Sequence, residues 1–446
     1  MRLPLGLVAF TMLAVGSAAP AAERPNIIFI MADDLGSADL GCYGQKVIQT
    51  PHIDRLASQG TRFTQVYAGN TVCAPSRSVL QTGQHAGHTR IRSNSSKLKG
   101  DIGERGEKFR YYLHDEDVTV GEVLKTAGYT TGITGKWGLG EAQSTGQPNR
   151  QGYDQWFGYL NQDTASSYYA PFLWLNKERF DLVGNSDGRR EQYSHDLLTG
   201  FALNFIRANK DRPFFLHVPY TIPHSQHEVP DLGIYADRDW PAGAREYAAM
   251  ITRMDADVGR IVDLVDSLKL TEQTLIFFTS DNGGPDPFHN VFQSNGALRG
   301  KKGTMYEGGL RVPMIARWPG HVRAGATSEA PWYFADFLPT AAELAGAKVT
   351  SAIDGVSVVP TLFGQEQDLS NRFLYWEIFP NFRQAVRWKN WKAVRDGSGA
   401  PYELYDLSTD PTESNNVASG HEDVVAKIAA FVKTARIDSD AYAVDR

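Results

Sequence analysis

Apolar and polar residues follow one another along the chain in blocks that predict strands separated by helices. Short apolar runs at 24–31, 213–220 and 274–280 are rich in β-branched or aromatic residues and predict buried strands. Weaker runs at 62–67 and 130–134 predict two further strands. Residues 50–60, 194–209 and 247–268 predict helices, and a short helix is expected over 76–80 with Pro75 in its first turn. This alternation is typical of an α/β fold, in which helices cover both faces of a large, mostly parallel or mixed sheet.

The pattern changes near residue 344. Beyond it, short segments rich in Trp, Tyr and Arg alternate with turns, and residues 422–436 predict a final helix. These features are typical of a small antiparallel sheet with one helix. We therefore expect a large α/β domain over 23–345 and a smaller C-terminal subdomain over 346–446.

The N-terminal residues have the features of a targeting segment. Arg2 supplies a positive start, residues 5–15 form an apolar run, and Ala-Pro-Ala at 19–21 gives a cleavage pattern of small residues. The run is too short to cross a bilayer comfortably, and no later segment is long enough to do so. We expect a signal peptide over 1–22 and an exported protein, periplasmic or secreted, with no membrane span.

The net charge and the number of cysteines limit the ligands and the disulfides that the chain could have. The formal net charge of −6 over 446 residues argues against nucleic-acid binding by the chain as a whole. An anionic ligand would therefore need a local cluster of basic residues. The chain has two cysteines, Cys42 and Cys73, so an exported protein could form one disulfide between them.

Polar residues stand where three of the predicted buried strands end. Asp33 and Asp34 follow the first, His224 follows the second, and Asp281 and Asn282 follow the third. The carboxyl ends of parallel strands meet at one edge of a sheet, which brings these residues together. Their oxygen atoms suit Ca²⁺ or Mg²⁺ better than Zn²⁺. Alternatively, the Asp-Asp pair could be a solvated turn and Asn282-Gly283 a hairpin turn.

Basic residues occur in two glycine-rich segments. Lys136 lies in GITGKWGLG, and Lys301 and Lys302 lie in ALRGKKGTMYEGGLRVP after Arg299. Runs of charge are usually solvated surface. Beside a cation site, however, such residues could clamp a tetrahedral oxyanion.

The segment CAPSR at 73–77, followed by LQTG at 80–83, resembles the Cys-x-Pro-Ser-Arg motif of the type I sulfatases, in the alkaline phosphatase-like superfamily. The similarity continues in the family's order through RPNIIFIMADDLG, GKWGLG, PFFLHVPYTIPH, FTSDNGG, LRGKKGTMYEGGLRVP and ELYDLSTDPTESNNVA, from Arg24 to about Ala418. The chain is thus expected to be a sulfuric ester hydrolase that releases inorganic sulfate from an alcohol.

The resemblance implies that Cys73 is oxidised to formylglycine (3-oxoalanine), whose hydrate supplies the nucleophile. A formylglycine-generating or radical maturase enzyme would be the partner that reads Pro75 and Arg77. The resemblance also implies one bound Ca²⁺, with Mg²⁺ less favoured. Its ligands would be Asp33, Asp34, Asp281, Asn282 and residue 73.

The other catalytic positions are implied in the same way. Arg77 would hold the hydrate, and Lys136 and Lys302 would bind sulfate oxygens. His224 would be the general acid for the leaving alcohol, and Asp281 would accept a proton from the attacking hydroxyl. Many family members have histidine in place of Gly138. His85, His88 and His227 are the possible substitutes in this chain, or each could be a surface or substrate-contacting residue.

The substrate suggested by export and by similarity to polysaccharide sulfatases is a sulfated carbohydrate. Aromatic and basic residues that could line its pocket are Arg92, Trp137, Tyr168, Tyr169 and Trp174. Two other hypotheses keep the fold. One is hydrolysis of a phosphodiester or phosphonate monoester, and the other is an inactive glycan-binding protein in which Cys73 stays a thiol.

Overall fold

The computed structural model describes residues 24–95, 102–103, 106–107 and 111–444. The predicted signal peptide at 1–22 lies outside these residues. The strands are β1 (Asn26–Ala32), β2 (Thr61–Tyr67), β3 (Ile102–Gly103), β4 (Gly106–Glu107), β5 (Thr130–Lys136), β6 (Gln155–Tyr159), β7 (Phe172–Leu175), β8 (Glu178–Asp181), β9 (Phe214–Pro219), β10 (Thr274–Ser280), β11 (Arg311–Arg317), β12 (Ala326–Ser328), β13 (Trp332–Tyr333), β14 (Phe373–Ile378), β15 (Arg383–Trp388), β16 (Trp391–Asp396) and β17 (Glu403–Asp406). The helices are α1 (Pro51–Ser58), α2 (Cys73–Thr82), α3 (Val120–Thr126), α4 (Ser194–Asn209), α5 (Ala244–Ser267), α6 (His289–Phe292), α7 (Glu307–Leu310), α8 (Phe337–Ala345), α9 (Val359–Leu362) and α10 (Glu422–Val432).

Eleven of the described strands form one mixed sheet. Its order is β12-β2-β11-β10-β1-β9-β5-β6-β7-β8, and β13 also pairs with β2. The neighbours from β10 through β1, β9 and β5 to β6 run parallel. Their carboxyl ends therefore meet at the same edge, as the sequence predicted.

The parallel strands are apolar on both faces because helices cover both sides of the sheet. On β1, Phe29 faces a core that includes Val79 of α2, and Ile28 faces a second core that includes Met254 of α5. Every residue of β1 is buried. The predicted α/β architecture is confirmed.

Helix α2 carries the cysteine motif and starts at Cys73. All of its residues are buried, and Pro75 lies in its first turn, where a missing backbone N–H costs nothing. Gly83 follows the helix and caps it, since its φ of +67° favours glycine and its N–H donates to the carbonyl of Val79 at 3.0 Å.

The C-terminal strands form the predicted small antiparallel sheet in the order β14-β15-β16-β17. One face packs on α10, with Tyr375, Val386 and Ile428 in a common core. Trp376 and Val394 belong to the core of the main sheet. The small sheet is thus docked on the main one, while the boundary at 345/346 stays a prediction. The last helix ends at Val432 and not at residue 436.

Candidate active site

The polar residues after β1 and β10 lie side by side at the carboxyl edge of the sheet. The N–H of Asp281 donates to the carbonyl of Ala32 at 3.0 Å, and the N–H of Asp34 donates to Asp281 Oδ1 at 3.1 Å. The N–H of Asp33 donates to Ile222 O at 2.9 Å, which ties in the segment after β9. Backbone bonds thus hold three strand ends together and leave the carboxylates buried at the junction.

Cys73 faces this junction from the first turn of α2. Its side chain is buried, and its Sγ lies 3.4 Å from Asp33 Oδ1. Burial and the charge of Asp33 raise the pKa of the thiol above its ordinary value. Cys73 and Cys42 are both free cysteines, so the structure does not contain the alternative disulfide.

Arg77 lies one helical turn after Cys73 and binds the same carboxylates. Its Nε and Nη2 donate to Asp281 Oδ2 at 3.1 and 2.8 Å, and its Nη2 lies 3.6 Å from Asp33 Oδ2. A third hydrogen bond runs from Nη1 to the carbonyl of Lys136. The guanidinium of Arg77 therefore connects α2 to Lys136, at the end of β5, and to Asp281, just after β10.

Two lysines complete the ion pairs of the cluster. Lys136 Nζ lies 2.6 Å from Asp33 Oδ2, and Lys302 Nζ lies 2.6 Å from Asp34 Oδ2. Burial alone would raise the pKa of Asp33 and lower that of Lys136. Their attraction for each other prevails, so the pKa of Asp33 lies below its usual range and that of Lys136 above it. Both groups are charged at neutral pH.

His224 lies beside Asp34 and is partly exposed. Its Nε2 lies 3.5 Å from Asp34 Oδ2, and its Nδ1 lies 2.5 Å from the carbonyl of Ser225. The side chain is 16% exposed, whereas Asp33 and Lys136 are fully buried.

The carboxylate and amide oxygens at the junction fit a hard divalent cation, whereas the Cys73 thiol and the His224 ring beside them do not. Ligand atoms of Asp33, Asp34, Cys73 and His224 lie within 4.8 Å of one another. Asn282 Oδ1 is buried and accepts no hydrogen bond from any described donor, although its amide nitrogen donates to Asp34 Oδ1 at 2.8 Å. A buried acceptor without a donor is costly, and a cation would satisfy it.

Charge counting supports the same fit. The three carboxylates of Asp33, Asp34 and Asp281 face the three cations Arg77, Lys136 and Lys302. The protein groups alone therefore balance. A divalent cation would leave a positive surplus that attracts an oxyanion.

Two of the three histidines that could substitute for one at position 138 lie away from the cluster. His85 and His88 follow the far end of α2, about 15 Å from Cys73 for a helix of ten residues. His88 Nδ1 lies 2.9 Å from Asp354 Oδ1, and its ring stacks on that of His85. His227 lies three residues after His224, its ring contacts that of Phe288, and burial lowers its pKa. Its ring packs on Tyr247.

The hypothesis that Arg92, Trp137 and Tyr168 line a sugar pocket is wrong. Each is at most 2% exposed. Arg92 pairs with Glu377, and the indole of Trp137 donates to the carbonyl of Gly146. The hydroxyl of Tyr168 donates to the carbonyl of His224 and so helps to hold the segment that carries His224.

Sequence reasoning missed two residues near the cluster. Gln162, after β6, touches the loop that carries Gly138. Arg383, on β15, donates to the carbonyl of Gly303 at 2.7 Å, next to Lys302. Neither stands in a motif, and only the pairing of distant segments brings them to the site.

Comparison with known families agrees with this geometry. Residues 25–347 match the model of the sulfatase family, and residues 300–437 match the model described as N-sulphoglucosamine sulphohydrolase, C-terminal. The matches overlap and together span most of the described chain.

Individual proteins match over nearly their whole lengths. Human arylsulfatase A is 31% identical, with 92% of this chain and 86% of the relative covered. An N-acetylgalactosamine-6-O-sulfatase of Bacteroides thetaiotaomicron is 30% identical, with 93% of each covered. The solved structure of Ps i-CgsB in complex with k-i-k-neocarrahexaose is 28% identical, with a TM-score of 0.81 and 94% of this chain and 95% of that chain covered.

Proposed function

The chain belongs to the sulfatase family of sulfuric ester hydrolases, in the alkaline phosphatase-like superfamily, and we propose that it releases sulfate from a sulfated carbohydrate. The observation that carries this proposal is the cluster in which Cys73, three buried carboxylates and three cations meet at one sheet edge. The positive charges can hold a sulfate group there while an alcohol leaves on the side of His224.

The carbohydrate part of the proposal rests on the relatives. One is an N-acetylgalactosamine-6-O-sulfatase, and a solved neighbour holds k-i-k-neocarrahexaose. Other relatives of similar identity are arylsulfatase A and steryl-sulfatase. Two of these four proteins are thus named for carbohydrate ligands or substrates, and both match more than nine tenths of this chain.

The nucleophile in this proposal is residue 73 after oxidation of its thiol to an aldehyde. The hydrated aldehyde would supply a hydroxyl that attacks sulfur, and its second hydroxyl would allow the sulfate to leave again. Arg77 and Asp281 orient this residue from one side, since two nitrogens of Arg77 donate to Asp281 Oδ2 beside it. Lys136 and Lys302 hold sulfate oxygens, and His224 protonates the departing alcohol.

The proposed cation is Ca²⁺, held by Asp33, Asp34, Asp281, Asn282 and residue 73. It would supply positive charge to the sulfate oxygens. The support is the chemistry of the oxygen donors and the unsatisfied Oδ1 of Asn282.

We also propose that the protein is exported and that a formylglycine-generating or radical maturase enzyme acts on Cys73. The N-terminal sequence pattern supports export. Among the described residues, none of the helices has the length and apolar character needed to cross a membrane.

Sulfate release from a panel of sulfated mono- and oligosaccharides tests the proposed function. Enzyme purified from a host with the maturation system should release sulfate from at least one carbohydrate, and Cys73→Ala should release none. An aryl phosphate diester is assayed in parallel, because a phosphonate monoester hydrolase shares the fold at 22% identity. Faster turnover of the diester than of every sulfate would contradict the proposal.

A further inference from the structure

The side chain of Gln162 lies against Gly138, in the loop after β5. Gly138 has a φ of +81°, which is unfavourable for other residues. A Cβ atom at Gly138 would lie 2.6 Å from Gln162 Nε2, closer than real Cβ contacts allow. The same nitrogen donates to the carbonyl of Gly138 at 3.1 Å. A side chain at 138 and Gln162 in its present place therefore exclude each other.

Sheet pairing fixes the position of Gln162. Beyond the paired residues of β5 and β6, the N–H of Trp137 donates to Tyr159 O and the N–H of Gly138 donates to Leu160 O, both at 2.9 Å. The turn that follows is closed by Asn161 Oδ1, which accepts from two backbone N–H groups. The glutamine is thus placed by the sheet and not by a free loop.

Gln162 lies on the side of Gly138 that faces Arg77. The point where a Cβ atom would stand at Gly138 is 2.6 Å from Gln162 Nε2 and 3.8 Å from Cδ of Arg77. Gly138, Gln162 and Ala74, the neighbour of Cys73, line one narrow pocket. The side chain nearest to Gly138 is therefore the neutral amide of Gln162.

We propose that Gln162 is the hydrogen-bonding partner of the modified residue 73 and takes the place of the histidine that is absent at 138. This inference rests on the proposed function. An amide oxygen has two lone pairs and does not titrate near neutral pH, so it can accept a hydrogen bond from a hydroxyl without removing the proton. Gln162 then orients the hydroxyl, and the base is another group.

Gln162→Met tests this role, because methionine keeps the volume and loses the hydrogen bonds. With residue 73 converted to the same extent as in the wild type, kcat should fall about 10- to 100-fold while KM changes less than about twofold. Gln84→Met, at the far end of α2, is the matched control and should stay within about twofold of the wild type in both constants. A higher KM with unchanged kcat would assign Gln162 to the alcohol part of the substrate and overturn the inference.

A second readout does not depend on turnover. If Gln162 stabilises the hydrated form of residue 73, its loss should expose more free aldehyde, and an aminooxy reagent should label Gln162→Met about 3- to 10-fold faster than the wild type. Equal labelling rates would overturn the inference and leave the proposed function intact. A wild-type protein that carries an unmodified cysteine and releases no sulfate would overturn both.

The steric conflict between Gln162 and a side chain at position 138 can be tested by measuring stability. Gly138→His alone should lower the melting temperature, because the new side chain collides with Gln162 and strains the backbone. Adding Gln162→Ala should recover part of that loss, so the two changes should be non-additive. Strict additivity would show that Gln162 does not occupy the space beside residue 138.

Discussion

Lys302 differs from the other cations of the cluster because it is partly open to solvent. Its side chain is 21% exposed, whereas those of Lys136 and Arg77 are 0% and 2% exposed. Lys302 is therefore the cation of the cluster that is most open to an incoming substrate. Lys301 is exposed and forms no ion pair with a described residue within 4 Å.

Lys302→Ala should lower kcat/KM for sulfate release about 100- to 1000-fold, since a preorganised charge on the oxyanion is lost. Lys301→Ala is the matched control and should keep nearly full activity. The assay is the initial rate of sulfate release at several substrate concentrations. Full activity of Lys302→Ala would refute its role.

Asn282 tests the cation site independently of turnover. Asn282→Leu removes the unsatisfied oxygen and should weaken Ca²⁺ binding about 10- to 100-fold, as seen by a smaller rise of melting temperature in a Ca²⁺ titration after chelation. Asn290→Leu changes an exposed asparagine and should titrate like the wild type. An unchanged midpoint in Asn282→Leu would remove this residue from the ligand set.

At the scale of elements, the small sheet holds the loop that carries Lys302. Arg383 on β15 donates to the carbonyl of Gly303, and Arg299 donates to Tyr405 Oη on β17. These bonds connect the C-terminal strands to the reacting edge. The small sheet thus contributes to the site without supplying a group to the cluster.

Arg383→Ala should lower kcat about tenfold, because a charge-assisted hydrogen bond that orders the loop is lost. The melting temperature should change by only a few degrees, since Arg383 is half-buried at the surface. Arg207→Ala, on the exposed side of α4, serves as the control. Unchanged kcat in Arg383→Ala would mean that the loop is held by its own turns.

The sequence predicts the convergence of Asp33, Asp281 and His224 because parallel strands share an edge. Asp33 and Asp281 directly follow β1 and β10, and His224 lies in the segment after β9. It does not predict Gln162 or Arg383. Their contacts depend on how β5 pairs with β6 and where β15 docks, and neither register is encoded in a local pattern. Burial of Trp137 was missed because its indole packs in the core of the main sheet and donates to the carbonyl of Gly146.

At the scale of the whole molecule, a buried ion network joins the two sheets. Lys392 on β16 lies 2.9 Å from Glu307 and 3.4 Å from Glu413, and all three side chains are fully buried. Burial would raise the pKa of Glu307, but Lys392 and two arginines lower it to about 2. Burial raises the pKa of Glu413 to about 7 despite Lys392.

The pKa shifts of Glu307 and Glu413 change the stability of the protein in opposite directions as the pH rises. Glu307 has a folded pKa below its unfolded value of 4.5, so its stabilising contribution is present above that pH and is lost as the pH falls toward 2. Glu413 has a folded pKa above 4.5, so its contribution decreases as the pH rises from 4.5 to 7.

Lys392→Met should therefore destabilise the protein by about 3–5 kcal/mol at pH 8, because Glu413 loses its pairing cation and Glu307 keeps only the two arginines. The loss should be smaller at pH 5, where the variant can protonate both groups. Urea unfolding at the two pH values measures the difference. A loss that is equal at both would show that the network does not control the charge of these glutamates.

The most direct test of the central claim is the mass of the tryptic peptide 63–77, which contains residue 73, in protein from a host with the maturation system. The account predicts that the peptide has lost sulfur and gained an aldehyde oxygen, and that the same preparation releases sulfate from a sulfated carbohydrate. A peptide with an unmodified cysteine in a preparation that still releases sulfate would contradict it.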